Sequence, residues 1–238
     1  LEFIGDSITS GEGTFGARQE EDWIPMFFSS LRDYAYLTAK ELDAEYRVFS
    51  QSGWGVCNTW DNNPNGALPK YYRQICSLMK SDMNEELGGN ENFEFASWQP
   101  DVIVVNLGTN DASSFEQPQW VDEQTGEHHK MRKNPDGSYN EEDIAFFRKG
   151  VKDFLYTLRE CNPKAQIIWC YGMLGIPFQK PICQAVYEYV DETQDRKVSY
   201  LQLPDTDVDS FGSRQHPGFL SHQKAAKALS AYIRTLLK

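Results

Sequence analysis

Positive charge is in short supply in this chain. Its 23 lysines and arginines face 35 aspartates and glutamates, a formal net charge of -12 across 238 residues. Binding to a phosphate backbone is driven by cationic side chains that neutralise phosphates, so nucleic acid and anionic membrane surfaces are excluded as partners. No apolar run approaches the length of a membrane span, and no basic-plus-apolar leader opens the chain. Cysteine is sparse too. The five, Cys57, Cys76, Cys161, Cys170 and Cys183, are odd in number and form no C-x-x-C pair, which speaks against both a disulfide framework and a zinc site. They read as reduced thiols packed as small hydrophobes, and composition leaves the compartment open. Of four histidines, the pair His128–His129 has no carboxylate spacing that would make it a metal site. Asp205, Asp207 and Asp209 imitate the start of a calcium loop but lack its glycine and terminal glutamate. No metal or cofactor is expected.

What the chain does have is strand–helix alternation. The apolar run before Gly5 reads as a first strand, followed by a Gly-rich loop through Gly11, Gly13 and Gly16. Apolar positions from Trp23 to Leu42 predict the first crossover helix. A second strand is expected over Glu45–Phe49, a helix over Leu68–Met79, and a central strand over 101–107, where an unbroken apolar run suits a parallel sheet covered on both faces. Residues 113–142 form a long polar excursion, which in a compact domain is usually functional or mobile. Asn140 then caps a helix over Ile144–Cys161, with a strand over Ala165–Tyr171, a helix over Pro181–Val190, a strand over Val198–Leu203 and a final helix from Ser221 to Leu237. The pattern predicts an α/β fold, a doubly wound, flavodoxin-like parallel sheet of five strands with helices on both faces, in one domain spanning 1–238.

Four of the strand ends carry polar residues of a particular kind. Ser7 follows the first strand, Gly53 the second, Asn110 the central one and His216 the last. Each has an ordinary use on its own: a helix N-cap, a turn, an Asx motif, a surface histidine. In open α/β sheets, however, ligands bind outside the carboxyl ends of the strands. A hydroxyl nucleophile, an imidazole and N–H donors gathered there are the parts acyl transfer requires.

The blocks Gly5-Asp6-Ser7-Ile8-Thr9, Ser52-Gly53-Trp54-Gly55, Gly108-Thr109-Asn110-Asp111 and His216-Pro217, in this order across nearly the whole chain, resemble those of the SGNH (GDSL-type) hydrolases. The first block together with the run from His216 to Ala226 resembles carbohydrate esterase family 2, the acetylxylan and related sugar O-acetyl esterases. The resemblance implies Ser7 as nucleophile, His216 as general base and then acid, and an oxyanion hole from the Ser7 and Gly53 N–H groups and the Asn110 amide. It also implies secretion or a cell-surface location, and a β-sandwich domain upstream of residue 1. In one respect the chain departs from the wider pattern. Three residues before His216, where most such hydrolases place an aspartate, stands Ser213. The family it resembles tolerates this by letting a backbone carbonyl orient the imidazole, which predicts a Ser–His dyad with Asp209 as the fallback acid.

An acidic, aromatic-rich surface without a long apolar lid favours a neutral acetylated polysaccharide or oligosaccharide as partner, with Trp54 and Trp60 as candidate faces for a sugar ring and core packing as their ordinary alternative. A lysophospholipase or thioesterase on the same fold, and a non-catalytic carbohydrate-binding protein, are the competing readings.

Overall fold

A computed structural model describes residues 1–77 and 81–237. Five parallel strands form its sheet. β1 spans Glu2–Gly5, β2 Arg47–Ser50 and β3 Val102–Asn106. A two-stranded antiparallel ribbon, β4 at Trp120–Val121 and β5 at His128–His129, decorates the excursion after β3. β6 at Gln166–Tyr171 and β7 at Val198–Gln202 complete the sheet in the order β2-β1-β3-β6-β7, with every pairing parallel.

That order explains the burial pattern. β1 and β3 lie inside the sheet and are buried at every residue, whereas the edge strands β2 and β7 are largely half-exposed. Side chains alternate across the sheet: Ile4, Ile103, Val105 and Ile167 enter one core, and Phe3, Val102, Val104 and Ile168 the other. The helices are α1 (Tyr34–Leu42), α2 (Asp82–Glu86), α3 (Thr109–Ser114), α4 (Glu141–Cys161), α5 (Gln179–Thr193) and α6 (Phe219–Leu236). α4 and α5 cover the first face through Phe147, Val151, Phe154, Ile182 and Tyr189. α1 and α6 cover the second through Tyr34, Ala35, Ala225, Leu229 and Ile233. Asn140 caps α4 as expected, its side chain accepting from the N–H groups of Glu142 and Asp143.

Two helical expectations fail. Over 23–42 only a short 3-10 turn at Pro25–Phe27 and α1 are helical; Trp23, Met26 and Leu31 are exposed. Pro25 starts the 3-10 turn, and the helix begins only at the next good cap, Asp33, whose carboxylate accepts from the Tyr36 N–H. Over 68–79 a 3-10 turn at Leu68–Tyr71 gives way to irregular chain through 77, and residues 78 and 79 lie outside the described residues. Pro69 has no N–H to donate in that turn, and Tyr72 turns inward to donate its hydroxyl to the buried Glu2 carboxylate at 2.8 Å. α2, unforeseen, opens on Ser81, whose hydroxyl accepts from the Asn84 N–H. The excursion is pinned by Asn62, a buried side chain that accepts from the Met131 N–H at 2.9 Å and donates to the carbonyls of Ser114 and Pro118. No helix among the described residues is long and apolar enough to cross a membrane.

Candidate active site

β1 and β3 are neighbours whose crossovers run to opposite faces of the sheet, so the gap beyond their carboxyl ends is a topological switch point. Ser7 sits two residues past β1 and Asn110 four residues past β3, in the first turn of α3. A cleft of about 350 Å³ opens there, lined by Ser7, Gly53, Asn110, His216 and Arg214, with Trp23, Trp60, Glu12 and Ser52.

Ser7 and His216, 209 residues apart in sequence, meet at 2.9 Å between Oγ and Nε2. The other ring nitrogen, Nδ1, lies 2.9 Å from the Arg214 carbonyl oxygen. A carbonyl can only accept, so Nδ1 carries the proton and Nε2 of the neutral ring is left to accept from the Ser7 hydroxyl. Asp209 is exposed in a 3-10 turn, and the carbonyl, not this carboxylate, takes the His216 Nδ1 bond. Arg214 itself lies in the left-handed region with φ of 51°, the conformation that turns its carbonyl back toward His216.

The Asn110 amide nitrogen donates to the Trp54 carbonyl at 2.9 Å and to Asp6 Oδ2 at 3.1 Å. Asp6 Oδ1 takes the Ile8 N–H at 3.0 Å, so one buried carboxylate ties the Ser7 turn to Asn110. Burial pushes the Asp6 carboxyl up to about 7. The next residue, Asp111, is also fully buried and accepts from the Val56 and Cys57 N–H groups, both at 2.8 Å. Burial raises it to about 6, the backbone donors opposing the rise. This bond fastens the Gly53–Gly55 turn against α3. Gly53 adopts φ of 80°, where a Cβ would meet the Trp60 ring at 3.1 Å, and neither its N–H nor that of Ser7 has a hydrogen-bond partner among the described residues.

The two tryptophans proposed from sequence part ways. Trp60 is 47% exposed and lines the cleft. Trp54 turns from the cleft and packs on Tyr71 at a ring separation of 5.2 Å, half-buried against the core. Its contribution is the carbonyl that holds Asn110. Trp23, which periodicity assigned to a helix, reaches the cleft instead. His128 and His129 stand on the ribbon strand β5 away from this cleft, and the described residues contain no group of histidine, cysteine or carboxylate side chains able to hold a metal ion. All five cysteines are free thiols.

A serine hydroxyl within hydrogen-bond distance of an imidazole at a parallel-sheet switch point is an arrangement suited to acyl transfer, and the chain belongs to the GDSL-like lipase/acylhydrolase family, whose model matches residues 3–224. Among solved structures it is similar to an acetyl xylan esterase from the rumen bacterium Butyrivibrio proteoclasticus, at 51% identity and a TM-score of 0.97, over all of this chain and 64% of that one. The cellulase/esterase CelE of Acetivibrio thermocellus is 26% identical over 243 residues, 100% of this chain and 25% of that protein. An acetylxylan esterase / glucomannan deacetylase of Cellvibrio japonicus is 34% identical over 116 residues, 48% of this chain and 30% of that protein. The chain therefore spans only part of the length of each relative. The resemblance to the family 2 acetylxylan esterases, read from the first block and the run from His216 to Ala226, agrees with these likenesses.

Proposed function

We propose that the chain is a serine esterase that removes O-acetyl groups from plant cell-wall polysaccharide or its oligosaccharides, by a Ser7–His216 dyad and an acyl-enzyme. The observation that carries this reading is the 2.9 Å contact between Ser7 Oγ and His216 Nε2, in a cleft also lined by Gly53 and Asn110. The similarity to acetyl xylan esterases supplies the substrate class.

In the first half-reaction His216 Nε2 takes the Ser7 proton as Oγ bonds the acetyl carbonyl carbon. The carbonyl electrons move onto oxygen, where the Ser7 and Gly53 N–H groups are free to donate and the Asn110 amide can shift from its longer bond, that to Asp6. The imidazolium then gives its proton to the departing sugar oxygen. Water, activated by the same ring, releases acetate. The Arg214 carbonyl holds the ring's tautomer through both steps but, being neutral, stabilises the imidazolium less than a carboxylate would. Trp60, exposed at the mouth, offers a face for a sugar ring, with Trp23 beside the same cleft.

The test is acetate release from acetylated xylan, with 4-nitrophenyl acetate and a decanoyl ester as comparators, for the wild type and Ser7→Ala. Release that disappears in Ser7→Ala and falls steeply on the decanoyl ester is expected. Preference for the decanoyl ester would make the protein a lipid or thioester hydrolase, and binding of xylan without release would make it a carbohydrate-binding protein.

A further inference from the structure

His216 lacks a carboxylate at Nδ1, yet a carboxylate stands on the other side of its ring. Glu12 Oε1 is 4.0 Å from His216 Nε2, and the Glu12 side chain is only 5% exposed. The same oxygen accepts from the Arg214 guanidinium at 2.8 Å. Arg214 is the residue whose carbonyl orients Nδ1. One buried carboxylate thus touches the group that aims the imidazole and faces the nitrogen that will carry the proton.

The chain is built to hold Glu12 there. Its N–H donates to the Ser7 carbonyl at 2.9 Å, which ties it to the nucleophile's own turn. Gly11 and Gly13 flank it at φ of 72° and 68°. The Gly13 carbonyl receives the Ser213 N–H at 3.1 Å, while a Cβ at Gly13 would come within 2.7 Å of the His216 Cβ and collide with the Ser213 carbonyl. A Cβ at Gly212 would run into the Gly13 carbonyl. Two glycine-bearing segments, one from each end of the chain, are therefore pressed together with Glu12 at the seam. An isolated buried carboxylate is costly, and among the described residues this one is paired with the Arg214 guanidinium.

We propose that Glu12 is a positioning residue for His216: it anchors Arg214 so that the carbonyl holds the ring, and its charge favours the imidazolium, the part an Asp at position 213 would otherwise play. This rests on the Ser–His esterase reading. When Nε2 takes the Ser7 proton the new positive charge forms 4.0 Å from Glu12, and the proton stays on the ring until the leaving oxygen takes it. Among the described residues, the other charged or titratable groups near the ring are Arg214, whose cation opposes the imidazolium, and His222 of α6, which burial lowers to about 3; Asp6 adjoins Ser7 in sequence.

The experiment compares wild type, Glu12→Gln, Glu12→Asp and Arg214→Gln on 4-nitrophenyl acetate, with kcat, KM and the pH dependence of kcat/KM, alongside the imidazole NMR titration of His216. Glu12→Gln is expected to lower kcat about ten- to hundredfold, part of what acid–base catalysis contributes, with KM within about twofold. The acidic limb of kcat/KM and the His216 titration should both move to lower pH, because the cationic ring loses its anionic neighbour. Arg214→Gln should move both to higher pH, an opposite sign that damage to the fold would not produce. Glu12→Asp should recover part of kcat. Unmoved profiles in both Glu12→Gln and Arg214→Gln would overturn the proposal. If the wild type releases no acetate the esterase reading fails, while the NMR titration still decides the role of Glu12.

Discussion

Replacing Asp6 by asparagine should make the protein more stable and less active, with the gain in stability tied to pH. Asp6 is 1% exposed and its carboxyl is raised from 3.8 to about 7, with burial the largest cause and the Ile8 N–H opposing it. Between those two values the native state holds a proton that the unfolded chain has given up. The unfolding free energy of the wild type therefore falls as pH rises through this window and levels off above it. At ~1.36 kcal/mol per pH unit, the interval from 3.8 to about 7 amounts to roughly 4 kcal/mol. Asparagine has no such proton to lose. It keeps an acceptor for the Ile8 N–H, but its amide nitrogen then faces that of Asn110, which loses the acceptor now 3.1 Å away. An unmet buried donor costs about 1–3 kcal/mol, independent of pH. Denaturant unfolding of both proteins at pH 4, 5, 6, 7 and 8 should show Asp6→Asn falling behind or level at pH 4 and gaining steadily to pH 7, with a constant gap beyond. Activity should drop, because Asn110 is no longer held from below. A gap that does not change between pH 4 and 7 would refute the reasoning, since Asp6 would then be ionised across the whole range in the native state.

Three further outcomes follow from the same geometry. Asn110→Ala should lose about 10²–10³ in kcat on 4-nitrophenyl acetate, the usual loss for one oxyanion donor, and an unchanged kcat would remove Asn110 from the reaction. Asp209→Asn should keep near-wild-type kcat, because the Arg214 carbonyl already takes the Nδ1 proton; a collapse in activity would show that Asp209 acts on His216. Gly13→Ala should lower both kcat and the unfolding midpoint, since a side chain at φ of 68° is strained by ~1–2 kcal/mol and its Cβ would push His216 away from Ser7; a fully active, equally stable variant would show that the seam can open without cost.

The strands of this protein were legible because a buried parallel sheet demands continuous apolar runs. β1, β3 and β6 declare themselves, and the caps at Asn140 and the periodicity of α4 are equally local signals. Trp23–Leu42 and Leu68–Met79 misled for the opposite reason. Their apolar residues have helical spacing, but the described residues there are held by contacts made elsewhere: Tyr72 is drawn in by Glu2, and Trp23 goes to the cleft mouth. Apolar periodicity reports that residues are shared with some surface, not which surface.

Of the cleft lining, Ser7, Gly53, Asn110 and His216 could be placed together in advance because each follows a strand, and strand ends of a parallel sheet share one edge. Glu12 and Arg214 could not. Glu12 sits in a glycine loop and Arg214 in a polar turn, with nothing in either neighbourhood to distinguish them from solvated charges. Asp6 and Asp111 were visible only as members of their motifs, and the two tryptophans near Gly53 read alike although one faces the cleft and the other Tyr71. By itself the sequence determined the layered α/β plan, the edge at which chemistry is possible and the residue types gathered there, since these depend on local pattern and on the geometry common to parallel sheets. Only the tertiary structure brings the Arg214 carbonyl to His216 Nδ1, buries Asp6 almost completely and sets Glu12 Oε1 4.0 Å from His216 Nε2. Those are distances between residues up to about 200 positions apart, and they exist only once the two ends of the chain close on each other.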